Sequence, residues 1–299
     1  MQLEQELVNR WNQSAPFWEK HREVIRQMFA PMTQALVEDG QIGTQQTVLD
    51  VGTGPGEPAL SVAELVGPEG RVFGIDPSSE MVAGARREAV RLGLKNAQFD
   101  VAFADHLPFP SDTFDAVVSR LGAMFFPSPV DAVLEMLRVL KPGRKLALAV
   151  WHFAERNPFH CALSGVMDRY VNSQPPGPND LDAFRFAPPG KLRGALSEAG
   201  AIALSERLLQ FNIETPLSVE EFWALRREMS EKLREKLAVL SPAKLAEVQR
   251  AMLEALGEYS TGNGMSFPAE VLIVSGAKSR PAGGFAPPKS QGGSDLGSH

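Results

Sequence analysis

Thr47-Val-Leu-Asp50-Val-Gly52-Thr-Gly54-Pro-Gly56-Glu-Pro-Ala-Leu60 is the stretch from which the rest of the chain can be placed. An apolar, β-branched run (Val48, Leu49, Val51) stops at three alternating glycines, and a helix-like segment follows. That order predicts a buried strand, a tight turn and a helix N-terminus. Glycine permits positive φ and close approach of a ligand to the main chain, and free N–H groups at the start of a helix favour a negatively charged group. Pro58 suits the first helical turn, where its missing N–H costs nothing. A dinucleotide fingerprint beginning at Gly52 requires glycine at position 57, which is Glu57. The pattern is instead Asp50-x-Gly52-x-Gly54-x-Gly56, with an acid at the strand end. A carboxylate there suits a ligand bearing an ammonium group beside its own carboxylate, that is, an amino acid rather than a pyrophosphate.

Beyond the turn Gly67-Pro-Glu-Gly70, Arg71-Val-Phe-Gly-Ile-Asp76 reads as a second strand ending in an acid, positioned to accept hydrogen bonds from the two hydroxyls of a ribose. A third strand, Gln98 to Ala104, ends at Asp105. Amino acid plus adenosine specifies S-adenosylmethionine. With the blocks V-L-D-V-G-T-G-P-G, G-I-D-P-S, A-D-H-L-P-F-P-S-D-T-F-D and E-M-L-R-V-L-K-P-G-R in this order, Val48 to Trp151 resembles the class I S-adenosylmethionine-dependent methyltransferases, and within them the ubiquinone/menaquinone C-methyltransferase-like (type 11) group. Two departures are visible: Arg144 stands where the last block usually has a second glycine, and Ser119 to Phe126 differs from the quinone enzymes.

The resemblance implies an α/β fold, a Rossmann-like seven-stranded, mostly parallel sheet with helices on both faces and an antiparallel last strand. The sequence supplies matching strands at Thr47–Gly52, Arg71–Asp76, Gln98–Ala104, Phe114–Arg120, Lys145–Trp151, Ala203–Ile213 and Ala269–Ser275. A helix between the fourth and fifth is framed by Ser128 and Pro129 at its start and by Lys141-Pro-Gly as its stop. Ahead of the sheet, residues 1–40 read as an N-terminal helical lid of two or three helices interrupted near Ser14-Ala15-Pro16. The methyltransferase domain spans 41–278, with an irregular cap at 152–186 and a helical insertion at 216–262. The insertion reads as two amphipathic helices, one opened by the capping box Ser218-x-x-Glu221 and the other by Ser241-Pro242. Residues 279–299, rich in Pro, Gly and Ser, read as a disordered tail.

At 299 residues and 43% hydrophobic, the chain is long enough for one large core. A net charge of −6, without clustered Lys and Arg, argues against a nucleic-acid partner. One cysteine rules out a disulfide framework or a cysteine zinc site, and no metal-ligand spacing is recognisable. No apolar run approaches a membrane span, so the expectation is a cytoplasmic monomer or homodimer acting on a small molecule.

By resemblance, Asp50 and the loop Gly52, Thr53, Gly54 and Gly56 hold the methionine part, and Asp76 and Pro77 the ribose. Ala104, Asp105 and His106 meet the adenine edge, and Met81 its face. A strand-end acid capping the turn is the plainer role for Asp50, an Asx-type turn for Asp105 and core packing for Met81. Arg120, ending the fourth strand, is open to pairing with a cofactor or substrate carboxylate or to a structural ion pair. The apolar and aromatic set Trp11, Trp18, Met124, Phe125, Phe126, Trp151 and Phe159 is the candidate acceptor wall, with core packing as the alternative for the N-terminal tryptophans. His152, directly after the fifth strand, is the first candidate for a catalytic base; His160 and Tyr170 are weaker. The expected chemistry is in-line methyl transfer to carbon or oxygen of a largely apolar or aromatic acceptor. The alternatives are a non-catalytic S-adenosylmethionine-binding or interaction protein, and a nicotinamide-dependent oxidoreductase.

Overall fold

The computed structural model describes residues 2–171, 177 and 180–281. Strands β1 (Thr47–Val51), β2 (Arg71–Asp76), β3 (Ala97–Val101), β4 (Phe114–Arg120), β5 (Leu140–Trp151), β6 (Ile202–Thr215) and β8 (Gly264–Ala277) form one sheet in the order β3-β2-β1-β4-β5-β8-β6. A two-residue strand, β7 (Ser260–Thr261), pairs with the start of β8. Strands β1 to β5 are mutually parallel, and β8 runs against both β5 and β6. Val48, Leu49, Asp50 and Val51 are all fully buried, as a central parallel strand covered on both faces requires.

The crossovers are helical: α4 (Ala59–Val66), α5 (Ser79–Leu92) and α6 (Pro129–Val139). Helix α5 shows why the chain breaks where it does. Ser78 Oγ accepts the Met81 N–H at 3.2 Å, and Gly93 closes the helix in the left-handed conformation. Helix α6 ends at Val139, earlier than the Lys141-Pro-Gly stop, and Ser128 makes no side-chain cap bond. Phe114 pairs with Leu140 and Ala116 with Lys145, so the residues between Leu140 and Lys145, Arg144 among them, bulge out of the ladder.

Three helices precede the sheet: α1 (Gln2–Lys20), α2 (Arg22–Met28) and α3 (Ala30–Asp39). The expected break at Ser14-Ala15-Pro16 is absent, because α1 runs through Pro16 and the interruptions fall at His21 and Phe29. Asn12 and Glu19, on either side of Pro16, bond to the start and middle of α5, and that packing outweighs the one donor a proline removes. Arg22, nearly buried, pairs with Glu88 at 2.7 Å, and Arg87 with Glu19 at 2.7 Å, fixing α1 and α2 to α5.

After β5 come α7 (Pro158–Met167) and α8 (Lys191–Glu198); between β6 and β8 lie α9 (Val219–Met229), α10 (Glu231–Ala238) and α11 (Pro242–Gly257). The insertion therefore holds three helices where two were expected. Ser230 ends α9 and caps α10, accepting the Leu233 N–H at 3.3 Å, a new start hidden inside one continuous amphipathic pattern. The capping box at Ser218 and Glu221 is present. Glu228 of α9 accepts from Lys20 at 2.8 Å and meets His21 Nε2 at 2.6 Å, which joins the insertion to the N-terminal helices. The tail expected over 279–299 lies almost wholly outside the described residues.

Phe267 on β8 anchors the insertion: fully buried, its ring stands 4.7 Å from Phe222, 4.9 Å from Tyr259 and 6.0 Å from Phe159. Phe267→Ala is expected to cost about 3–5 kcal/mol in urea denaturation with an unchanged m-value. A loss below about 1 kcal/mol would mean that this aromatic cluster does not hold the insertion to the sheet.

Candidate functional site

Two adjoining cavities open at the carboxyl end of the parallel strands, where ligands of such sheets bind. The first is a cleft lined by Val51 to Pro55, Asp76, Pro77, Met81, Ala102 to Asp105 and Arg120. Its floor is the loop after β1. Gly52 and Gly56 take φ of 74° and 115°, and a Cβ on Gly56 would lie 2.6 Å from Leu60 Cδ1, so no other residue fits there.

The loop's amides are already used. Gly52 and Thr53 donate to Ile75 O at 2.8 and 2.9 Å, Gly54 to Asp76 Oδ2 at 2.9 Å and Gly56 to Thr53 O at 3.0 Å. This corrects the expectation of free N–H groups waiting for an anion, and a pyrophosphate finds no cradle in this set. Asp50 is also corrected. It lies beneath the loop, fully buried, where Oδ2 accepts the Ala59 N–H at 3.2 Å and so caps α4; it does not line the cleft. Burial raises its pKa from 3.8 to about 7.

Asp76 does line the cleft. Its Oδ1 accepts from Ser78 N and its Oδ2 from Gly54 N, both at 2.9 Å, and a carboxylate with two such bonds keeps lone pairs for two more donors. Burial raises its pKa to about 6 despite these bonds. Arg120, at the tip of β4, is buried on the same cleft. Nη1 donates to Thr33 Oγ1 at 2.8 Å and Nη2 to Glu57 O at 3.4 Å, and the guanidinium carbon stands 5.8 Å from the Phe29 ring. Burial lowers its pKa, while Glu57 and Asp50 oppose that shift.

Gly52, Thr53, Gly54, Asp76, Pro77, Met81, Ala104, Asp105 and Arg120 thus come together around the cleft, whereas Asp50, Gly56 and His106 do not line it. His106 is exposed, because β3 ends at Val101 and a loop follows.

The second cavity is a chamber that shares Leu7, Trp11, Trp18, Phe29, Leu121 and Phe125 with the cleft. Its far walls include Met124, Trp151, Phe159, His160, Phe184 and Arg226. Six of the seven candidate wall residues line it, and the seventh, Phe126, lines the cleft. His152 is the miss: it lines neither cavity, and Nδ1 meets Glu270 Oε2 at 2.8 Å across the β5–β8 pair. Tyr170 lies outside both cavities as well. His160 stands in the chamber instead, 4.7 Å from the Trp151 ring and 5.0 Å from Phe159, with Nε2 buried and unpartnered. Burial, then the nearby Arg226 charge, holds its pKa well below 6.5.

The sheet order and the glycine loop after β1 give the Rossmann-like, mostly parallel α/β fold seen in class I methyltransferases. Residues 42–167 match the family described as "Methyltransferase domain". The aklanonic acid methyltransferase DauC of Streptomyces sp. strain C5 is 36% identical over 121 residues, 40% of this chain and 55% of that protein. The ubiquinone/menaquinone biosynthesis C-methyltransferase UbiE of Pseudomonas fluorescens is 33% identical over 156 residues, 50% of this chain and 59% of that protein. The chain thus spans little more than half the length of these curated relatives. The crystal structure of YcgJ from Bacillus subtilis superposes with a TM-score of 0.54 at 21% identity, covering 83% of this chain and 98% of that one, and shares the fold. Among the described residues no helix is long and apolar enough to cross a membrane.

Asp50 carries a pH signature. Its pKa is about 7 in the fold and near 3.8 when exposed, so folding binds a proton between those values. Stability is highest at low pH on this account and declines as pH rises through 7, by on the order of 4 kcal/mol for about three units. Asp50→Asn is expected to flatten the urea midpoint measured between pH 4 and 7.5; parallel curves for the two proteins would contradict the assignment.

Proposed function

We propose that the protein transfers a methyl group from S-adenosylmethionine to carbon or oxygen of a small, largely apolar or aromatic acceptor. The observation that carries this reading is the pairing of the two cavities: an acid-tipped cleft at the strand ends opens, past Trp11, Trp18 and Phe125, onto an aromatic chamber. Relatives named for aklanonic acid and for ubiquinone and menaquinone biosynthesis support a small organic acceptor.

When bound, S-adenosylmethionine supplies an electrophilic sulfonium methyl whose S–C bond breaks as the acceptor–methyl bond forms, leaving the electron pair on a neutral thioether. Asp76 accepts the ribose hydroxyls through its spare lone pairs, and Met81 lies along the adenine. Arg120, which has no ion-pair partner, receives the methionine carboxylate. Asp105 takes the adenine amino group. Glu57 and Asp76 on the cleft wall, with Asp50 beneath its loop, favour a cation over the neutral product. The N-terminal helices 1–40 act as a lid, and the cap 152–186 and insertion 216–262 close the chamber. Excluding water and holding the acceptor in line contribute up to about 7–11 kcal/mol, so no single side chain carries the rate. Where the acceptor is a hydroxyl, His160 takes its proton, because its imidazole is neutral at physiological pH and it stands on the chamber wall.

Isotope-labelled methyl donor, incubated with an acceptor panel and followed by mass spectrometry, tests the reaction; NAD binding without S-adenosylhomocysteine binding would end the reading. Asp76→Ala is expected to weaken S-adenosylhomocysteine affinity several-fold or more in calorimetry with the fold intact. For a hydroxyl acceptor, His160→Gln should lower kcat about 100-fold or more at unchanged cofactor affinity. The acid limb of the wild-type profile should fall below pH 6.5, since the neutral imidazole persists there. A limb centred above that pH would assign the base elsewhere.

A further inference from the structure

The charged side chains lining the chamber are Arg10, Asp182, Arg226, Glu231, Lys232 and Lys236. Five of them are paired: Arg10 with Glu231 at 3.1 Å, Lys232 with Asp182 at 3.1 Å and Lys236 with Asp168 at 3.4 Å. Arg226 is the exception. Among the described residues no carboxylate or carbonyl meets its guanidinium; its one contact of note is the Phe159 ring, 4.2 Å from the guanidinium carbon, and its Nε is buried without a partner. Burial alone depresses its pKa to about 10. A guanidinium does not shed its proton at neutral pH, so the chamber holds one uncompensated cation. Arg226 is partly buried with its Nε closed off, and a partly desolvated charge without a partner costs stability that a cation–π contact offsets only in part.

Two further ring nitrogens on the same walls, Trp18 Nε1 and His160 Nε2, are also buried without partners. The Arg226 and Trp18 groups are N–H donors that call for an oxygen. Arg226 lines the chamber but not the cleft, and Arg120 and Arg226 are separated by the Phe29 and Phe159 rings, whose centroids lie 5.9 Å apart.

We infer that the acceptor is an aromatic carboxylate, its carboxylate held by Arg226 on the chamber wall and its methylated atom turned toward the cleft. This rests on the methyl-transfer reading above and adds the acceptor's charge and orientation. A carboxylate suits the site better than a phosphate ester, because one negative charge balances the one unpaired guanidinium and a dianion would be left half unpaired among aromatic walls. The guanidinium presents two parallel N–H donors to two oxygens, and the rings flanking it stack on the body of the ligand. The anion is an anchor here and not the nucleophile.

The test uses the full chain saturated with S-adenosylhomocysteine, with 1-naphthoate and its uncharged analogue 1-naphthamide as probes, read by quenching of tryptophan fluorescence. Naphthoate is expected to bind at least tenfold more tightly than naphthamide. Arg226→Met, which keeps the bulk and removes the charge, should abolish that preference at unchanged S-adenosylhomocysteine affinity, and Arg226→Lys should restore part of it. Equal binding of the two probes by the wild type, no naphthoate binding, or a preference that survives Arg226→Met would each overturn the proposal. Should Arg226→Met fail to fold, the wild-type ratio decides together with its salt dependence: a preference unchanged between 50 mM and 1 M salt contradicts a charge-paired anchor. Loss of S-adenosylhomocysteine binding in the wild type would instead be a failure of the methyl-transfer reading.

Discussion

Asp76 binds the tip of β2 to the loop after β1, and the cleft takes its shape from those two hydrogen bonds. Its carboxylate holds Gly54 N–H on one side and Ser78 N–H on the other. The first fixes the glycine loop and the second fixes the start of α5, which carries Met81 into the cleft. Ser78 also donates to Asn12 Oδ1 at 2.7 Å, so the same junction reaches α1. A residue of the cleft wall is thus also the joint between sheet, loop and N-terminal helices. Ligand binding and the seating of those helices are coupled by construction.

Burial is what makes this joint responsive. Desolvation pushes Asp50, Glu57 and Asp76 upward in pKa; Arg120 opposes this at Asp50 and Glu57, Arg26 also at Glu57, and at Asp76 only backbone hydrogen bonds do. A cationic ligand stabilises the ionised forms, so its arrival and the loss of protons from these acids reinforce one another. On the methyl-transfer reading proposed above, the ligand would be neutral once the methyl has left and that reinforcement would lapse, favouring release of the product over retention.

The β1 loop, the acid at β2 and the strands of a mostly parallel sheet were legible because they rest on local rules: runs of buried β-branched residues, glycines where φ must be positive, and acids at strand ends. Asp50 was assigned to the ligand rather than to α4 because its partner, the Ala59 N–H, is set by how the turn folds back. His152 was preferred to His160 on sequence distance from the strand, but β8 supplies Glu270, which holds His152 away from the chamber. That pairing joins positions 118 apart and leaves no local trace. Pro16 failed as a helix breaker for a similar reason, since packing on α5 overrides it.

Arg226 left a trace that was not read. It follows Phe222 by four positions and precedes Met229 by three, which puts it on the buried stripe of α9 and not on its solvated face. A charged residue on an apolar stripe either pairs inside the fold or waits for a partner from outside, and every other charge on the chamber wall has found its counterpart within the chain. Natural folds tolerate such a deficit chiefly at sites where function makes use of it. The roof of this fold is therefore more than a cover. On the methyl-transfer reading, the sheet and its glycine loop would hold the methyl donor, and the inserted helix α9, outside the segment 42–167 that matches the methyltransferase family, brings the charge that the proposed acceptor would meet.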